Sequence, residues 1–145
     1  MKIVVQRVKQ ASCTIENEIV GKINQGLLVL VGFSTTDTTK EVEWMTNKLL
    51  GLRIFQDSEE KMNLSVQDVN GAILLISNFT LYGDAIKGFR PSFIQAARPE
   101  TAIPLYNYML ELLRKSNLLI QSGQFGAMMD LDFINSGPVT IIIEK

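Results

Sequence analysis

The side chains able to do chemistry in this chain fall in a few short stretches. "SNFTLYGD" (residues 77–84) closes an apolar run with Ser77, Asn78 and Thr80. Those hydroxyls could serve as nucleophiles or as donors to a developing oxyanion. They could equally be half-buried strand residues, which β-propensity alone allows. "KGFRPSF" (87–93) sets Lys87 and Arg90 among Phe89 and Phe93. Cations meet phosphates and aromatic rings stack on bases, although a surface loop anchored by its two rings has the same composition. "SGQFGAMM" (122–129) holds Phe125 between glycines, with Gly126 and Met129 close by. A ring and a soft thioether of this kind make a wall for a base or pack a core. Asp130 and Asp132 share one strand face, an arrangement that permits acid–base work but more commonly marks a solvated surface. Last, "NSGPVT" (135–140) reads as a hairpin turn before a closing strand. Its Gly137-Pro138 bond is of the one class that adopts cis at appreciable frequency.

One absence constrains all of these. The chain has no histidine and a single cysteine, Cys13. Ser-His-Asp and Cys-His catalysis are therefore excluded, as is an ordinary structural zinc site. No metal or other cofactor is expected. Hydrolysis would have to rest on carboxylates, hydroxyls, lysine, backbone dipoles or the substrate itself.

These stretches are positioned by elements readable from periodicity. Ile3, Val5 and Arg7 alternate as in a strand, and residues 11–23 form a hairpin turning near Asn17. "GLLVLVGF" (26–33) is a central strand. "TTKE" (38–41) is a capping box with Thr38 as cap and Glu41 reaching back, and Val42, Met45 and Leu49 share a face of the helix that runs to Gly51. A short strand is expected at 52–55, a polar loop after it, a turn at Asn70-Gly71 and a strand over 72–81. Residues 82–98 are irregular and carry a net charge of +2; loops this long are commonly functional. Leu105, Tyr108, Met109 and Leu112 mark the buried face of a second helix, preceded by Pro99 and Pro104. Strands in hairpins with two helices inserted predict a single α+β domain over 1–145, built on a largely antiparallel sheet or barrel with both helices packed on it.

The chain's 145 residues suffice for one core. Its net charge of -1 argues against a strongly basic nucleic-acid binder, while leaving room for a local basic patch. No apolar run approaches the ~18 residues of a membrane span, no signal peptide is apparent, and the lone cysteine fits a cytoplasmic protein.

Taken in order, "SNFTLYGD", "KGFRPSF", "AARPE", "SGQFGAMM" and "NSGPVT", with the opening "MKIVVQRVKQASCTIENEIVGKINQGLLVLVG", resemble the D-aminoacyl-tRNA deacylase (D-Tyr-tRNA deacylase) family over essentially the whole chain. The resemblance implies a homodimer with active sites at the subunit interface and tRNA as partner. It implies hydrolysis of the ester joining a D-amino acid to the terminal adenosine, removal of glycine from alanine tRNA, no metal, and chemistry assisted by the terminal 2′-hydroxyl. The family's S-Q-F-T-L segment falls on Ser77, Asn78, Phe79, Thr80 and Leu81. Its adenine pocket falls on Phe125 and Met129, with Asn78, Phe79 and Gly126 also implied in substrate binding, and its Gly-cis-Pro chirality filter falls on Gly137 and Pro138. Ser77 and Thr80 would position water or the oxyanion, and Lys87 and Arg90 would meet tRNA phosphates. The chain departs from the family pattern at Asn78, which replaces a glutamine, and at Met128, which replaces an acidic residue. A tRNA-end binder without activity, a deacylase of relaxed chirality and an unrelated structural dimer remain open alternatives.

Overall fold

A computed structural model describes residues 1–145. Strand β1 (Lys2–Ile15) organises the sheet. One edge pairs antiparallel with β3 (Gly26–Gly32) along Lys2–Val8 and with β2 (Glu18–Ile23) along Ala11–Ile15. The expected hairpin turns at Glu16 and Asn17, both at positive φ. The other edge of β1 carries β8 (Asp130–Glu144) along nearly its whole length. Beyond β3 lie β6 (Ala72–Ser77) and β7 (Ile120–Ser122), both in parallel pairings. The sheet is thus mixed, with antiparallel pairs around β1. It curls back on itself: a Cβ on Gly21 of β2 would lie 3.1 Å from the Ser122 carbonyl oxygen of β7.

That curl explains why β3 and β6 are almost continuously apolar. Leu27, Val29, Val31, Ile73 and Leu75 face the helices in the main core. Leu28, Leu74 and Ile76 face the interior of the curl with Val8, Cys13 and Ile23. Strands buried on both faces lose the apolar–polar alternation.

Helix α1 (Thr39–Leu50) starts at the expected capping box. Glu41 Oε2 accepts from the Thr38 backbone N–H at 2.8 Å and from its hydroxyl at 2.7 Å, and these bonds hold the Glu41 carboxyl below its ordinary pKa. Helix α2 (Pro99–Arg114) begins at Pro99 and runs through Pro104. It buries Ala102, Leu105, Tyr106, Met109, Leu110 and Leu113. The expected face was displaced by about one residue, because α2 packs on α1 as well as on the sheet. Tyr108 consequently stands at the helix–helix seam and donates its hydroxyl to Glu43 at 2.7 Å.

Three further expectations change. The strand of 52–55 and polar loop after it become a small hairpin, β4 (Phe55–Gln56) and β5 (Met62–Leu64). Asp57 organises its turn by accepting from the backbone N–H groups of Glu59 and Lys61. The strand of 72–81 stops at Ser77 and gives way to a 3-10 turn over Phe79–Tyr82. The "NSGPVT" segment is not a hairpin turn. A hairpin requires its two flanks to pair with each other, whereas here both flanks pair with β1 in one direction. From Gln10 to Gln6 strand β1 advances four residues while β8 advances six, from Ile134 to Thr140. The two extra residues are extruded as a bulge.

Candidate functional site

A cavity of about 680 Å³ opens where β3 and β6 end. Its walls are the tips of both strands, the start of α2, and residues near 93–97 and 125–131. The rim segment is tied to β3 by Ala97 N–H donating to the Phe33 carbonyl at 2.8 Å and Thr35 N–H donating to the Gln95 carbonyl at 3.2 Å. No lining residue is ionisable; Ser77 and Asn78 supply the only side-chain hydrogen-bonding groups.

Asn78 ends β6 and caps the 3-10 turn, a role its amide suits. Its Oδ1 accepts from the Thr80 backbone N–H at 3.2 Å and from the Thr80 hydroxyl. Its own N–H donates to the Val31 carbonyl at 2.7 Å. The Thr80 hydroxyl proton is therefore committed to an amide oxygen. Thr80 itself is exposed and lies just outside the cavity lining.

On the opposite wall the Phe125 ring sits edge-on to Tyr106, with centroids 5.8 Å apart. Tyr106 is buried and donates its hydroxyl to the Leu75 carbonyl at 2.9 Å. Burial pushes its pKa up to about 12, so it stays a neutral donor that braces the ring. Gly126 has φ +79° with open space above it. Met129 packs its sulfur so closely over Gly123 that a Cβ there would come within 2.4 Å. Phe79 and Phe93 meet edge-to-face at 5.1 Å on the rim. A largely apolar hollow with one ring wall and a few amide and hydroxyl groups can hold a flat heterocycle and orient a polar linkage beside it. It contains no group able to take a proton at neutral pH.

Ser77, Asn78, Phe79, Phe125, Gly126 and Met129 thus converge on one cavity. Lys87 and Arg90 stand apart, in an exposed loop closed by a bridge between Asp84 and Ser92. Asp130 and Asp132 are exposed on β8 opposite Thr14 and Ser12.

Gly137 and Pro138 also stand apart. Both are exposed, and the peptide between them is cis. Gly137 lies six residues along β8 from Leu131 of the cavity, or about 20 Å at ~3.3 Å per residue. The bulge is pinned from within. Asn135 Oδ1 accepts from the Val139 N–H at 2.7 Å, and its Nδ2 donates to the Val139 carbonyl at 3.1 Å. Gln6 accepts from the side chains of Asn135 and Thr140. Arg7, 8% exposed, donates Nε to the Ser136 carbonyl at 3.0 Å and Nη1 to the Ile54 carbonyl at 2.6 Å. A Cβ on Gly137, at φ +132°, would lie 2.7 Å from Val139 Cγ2 and 2.9 Å from Arg7 Nη2. Arg7, Asn135, Gln6 and Tyr106 were not singled out from sequence. Arg7 did carry a signal: a guanidinium at an inward position of an alternating strand needs buried acceptors.

Residues 4–144 match the family model described as D-Tyr-tRNA(Tyr) deacylase. A D-aminoacyl-tRNA deacylase from an Exiguobacterium species is 54% identical over 145 residues, covering 100% of this chain and 99% of the relative. The D-aminoacyl-tRNA deacylase of Brevibacillus brevis is 54% identical over 100% of both chains. Among solved structures, one described as c-Myc DNA Unwinding Element Binding Protein superposes with a TM-score of 0.95 at 45% identity, over 100% of this chain and 99% of that one. Another, described as a probable eukaryotic D-amino acid tRNA deacylase, superposes at 0.84 with 19% identity over 98% and 97% of the two chains, a likeness of fold. No helix is long and apolar enough to cross a membrane.

Proposed function

The chain belongs to the D-Tyr-tRNA(Tyr) deacylase family, and from that premise we propose that it is a chiral proofreading hydrolase of D-aminoacyl-tRNA. The observation that carries the mechanism is the cavity without an ionisable side chain, in a chain without histidine. Such a site binds and orients; it does not supply a base. Phe125 and Met129 hold the terminal adenine, and the ester lies toward Ser77, Asn78 and Thr80. Water adds to the ester carbonyl, and the C–O3′ bond breaks. The ribose 3′-oxygen takes a proton, and the free D-amino acid leaves. The neighbouring 2′-hydroxyl of the tRNA positions the water and relays its proton. The hydroxyl of Ser77 steadies the developing oxyanion, and preorganised donors of this kind are a large term in acyl-transfer catalysis; the Thr80 oxygen, its own proton given to Asn78, accepts from the attacking water and positions it. Thr80 is not the nucleophile, since its proton is already given to Asn78 and no base adjoins it.

Chirality is judged by backbone. Gly137 and Pro138 aim carbonyl oxygens at the substrate α-ammonium. With the ammonium held there, a D side chain points to open space and an L side chain collides with the wedge. Glycine has no side chain to collide, so glycine on alanine tRNA is cleared as well. A path of up to about 20 Å along β8 lies between the wedge and the cavity of its own chain, which supports a homodimer in which the wedge serves the cavity of a second copy. Phe133 and Ile134, exposed beside the bulge, give that contact apolar area.

The deciding measurement presents D-Tyr-tRNA and L-Tyr-tRNA separately and follows ester loss. Rapid loss of the D-ester alone is expected. Loss of neither makes the protein a tRNA-end binder, and equal loss of both removes the chirality filter. Replacing the terminal 2′-hydroxyl by hydrogen should lower the D-ester rate severely; an unchanged rate would return the chemistry to the protein.

A further inference from the structure

Residues 84–92 form a finger beside the cavity. Asp84 and Ser92 exchange both backbone hydrogen bonds at 2.8 Å and close its base. Asp84 Oδ1 accepts from the Ile86 N–H at 2.9 Å, which fixes the first bend. The next residue, Phe93, lines the cavity and abuts Phe79. A Cβ on Gly83, at the finger's other foot, would touch the Phe93 ring at 3.0 Å. The base of the finger is thus part of the cavity rim.

The tip is chemically distinct from that base. Phe89 is fully exposed (107%), and Ile86 nearly so (89%). Lys87 and Arg90 bracket the ring, and neither takes part in the molecule's three ion pairs. The one acid of the segment, Asp84, spends its carboxylate on the Ile86 N–H. An isolated exposed Phe means little. An exposed ring with a free cation on each side is the pattern that holds unpaired nucleic acid, where bases stack on aromatics and phosphates meet Lys and Arg. A protein partner would have to bring an acid to each cation as well as a pocket for the ring, whereas every nucleotide of an unpaired strand carries both a base and a phosphate.

We propose that this finger binds the unpaired nucleotides just upstream of the terminal adenosine. Phe89 stacks on one base, and Lys87 and Arg90 neutralise the flanking phosphates. The proposal rests on the tRNA reading above and names where the strand runs after leaving the cavity. The reach fits: Phe93 is four positions after Phe89, so the tip stands at most about 14 Å from the rim. That spans about two extended nucleotides.

The test compares D-Tyr-tRNA with D-Tyr-adenosine, which keeps the ester and adenine but lacks the upstream nucleotides. Phe89→Ala should lower kcat/KM for the tRNA relative to the adenosine ester by about tenfold, through KM, as expected for a lost base stack. Phe89→Trp should restore it. Lys87→Ala with Arg90→Ala should reduce the slope of log affinity against log salt by about 1.4, two phosphates on a single strand. An unchanged ratio for Phe89→Ala overturns the proposal. Equal loss on both substrates overturns it in favour of a role in shaping the cavity. A shift of the variant's sedimentation toward monomer overturns it in favour of a subunit contact. Binding of uncharged tRNA, measured by anisotropy, separates this inference from the deacylase reading. About tenfold weaker binding by Phe89→Ala supports the finger even if no ester is cleaved, and unchanged binding sinks the finger while leaving deacylation intact.

Discussion

The cavity at the ends of β3 and β6 and the bulge of β8 are built on opposite principles. The cavity is concave and apolar, assembled from segments distant in sequence, with side-chain hydrogen bonding limited to the Asn78–Thr80 cap. The bulge lies within a single run of six residues, exposed at Gly137 and Pro138 and held by Arg7 and Asn135. A surface of side chains tolerates small adjustments, because neighbouring rotamers can shift. A backbone held by hydrogen bonds at positive φ does not. Under the proposed function, the first suits binding the feature common to every substrate, the adenosine. The second suits a geometric judgement that must not depend on which side chain arrives.

The largest effect should come from disturbing the rigid region. Gly137→Ala places a Cβ within 2.7 Å of Val139 and 2.9 Å of Arg7 at φ +132°, and the resulting displacement should lower D-ester turnover about 100-fold. Circular dichroism should remain native-like; an unchanged rate would break the division between the two regions. Next, Arg7→Ala leaves the Ser136 and Ile54 carbonyls without a donor. At about 1–3 kcal/mol for each unsatisfied buried group, the melting temperature should fall by several degrees and the D/L rate ratio should narrow. A lower Tm with an unchanged D/L ratio would reduce Arg7 to a structural role.

Phe125→Ala tests the adaptable region. It should raise KM about tenfold, the usual worth of a base stack, with kcat little changed. A fall in kcat of similar size would mean that the ring also orients the ester. Thr80→Ala should cost less than about tenfold in turnover, the range of one lost hydrogen bond, whereas complete loss with intact tRNA binding would restore Thr80 as nucleophile. The smallest effect lies far from both regions. Thr38→Ala removes the α1 cap at a cost of about 1 kcal/mol, and activity should not change. Glu41 has its folded pKa lowered by Thr38. Its stabilising contribution is therefore present above the unfolded value and is lost as pH falls through the lower folded one. Acid unfolding should accordingly be less steep in Thr38→Ala, and identical acid limbs would contradict the capping account.

The elements legible in the sequence were those with local causes. The capping box at Thr38, the hairpin at Asn17 and the apolar runs of β3 and β6 each follow from residues within one turn or strand. The helix α2 face was displaced because its second contact, with α1, is made by residues more than sixty positions away, as the Tyr108–Glu43 bond shows. The end of β6 was misjudged because Asn78 is a cap whose partner, Thr80, looks like another strand residue until the backbone turns. The clearest misreading, the hairpin at 135–138, had a sequence indistinguishable from a turn. Only the pairing of both flanks with β1 makes it a bulge.

By itself, the sequence determined that no histidine-based chemistry operates here, that two helices pack on a sheet, and which residues resemble a known family's motifs. Those conclusions depend on residue identity and short-range periodicity. Only the tertiary structure decided that eight of the singled-out residues share one cavity, that no ionisable group lines it, and that Gly137 and Pro138 stand well away from it on a backbone fixed by Arg7 and Asn135. Those depend on strand register. A shift of two residues in the β1–β8 ladder is invisible in either strand alone, yet it extrudes the segment proposed to judge the substrate.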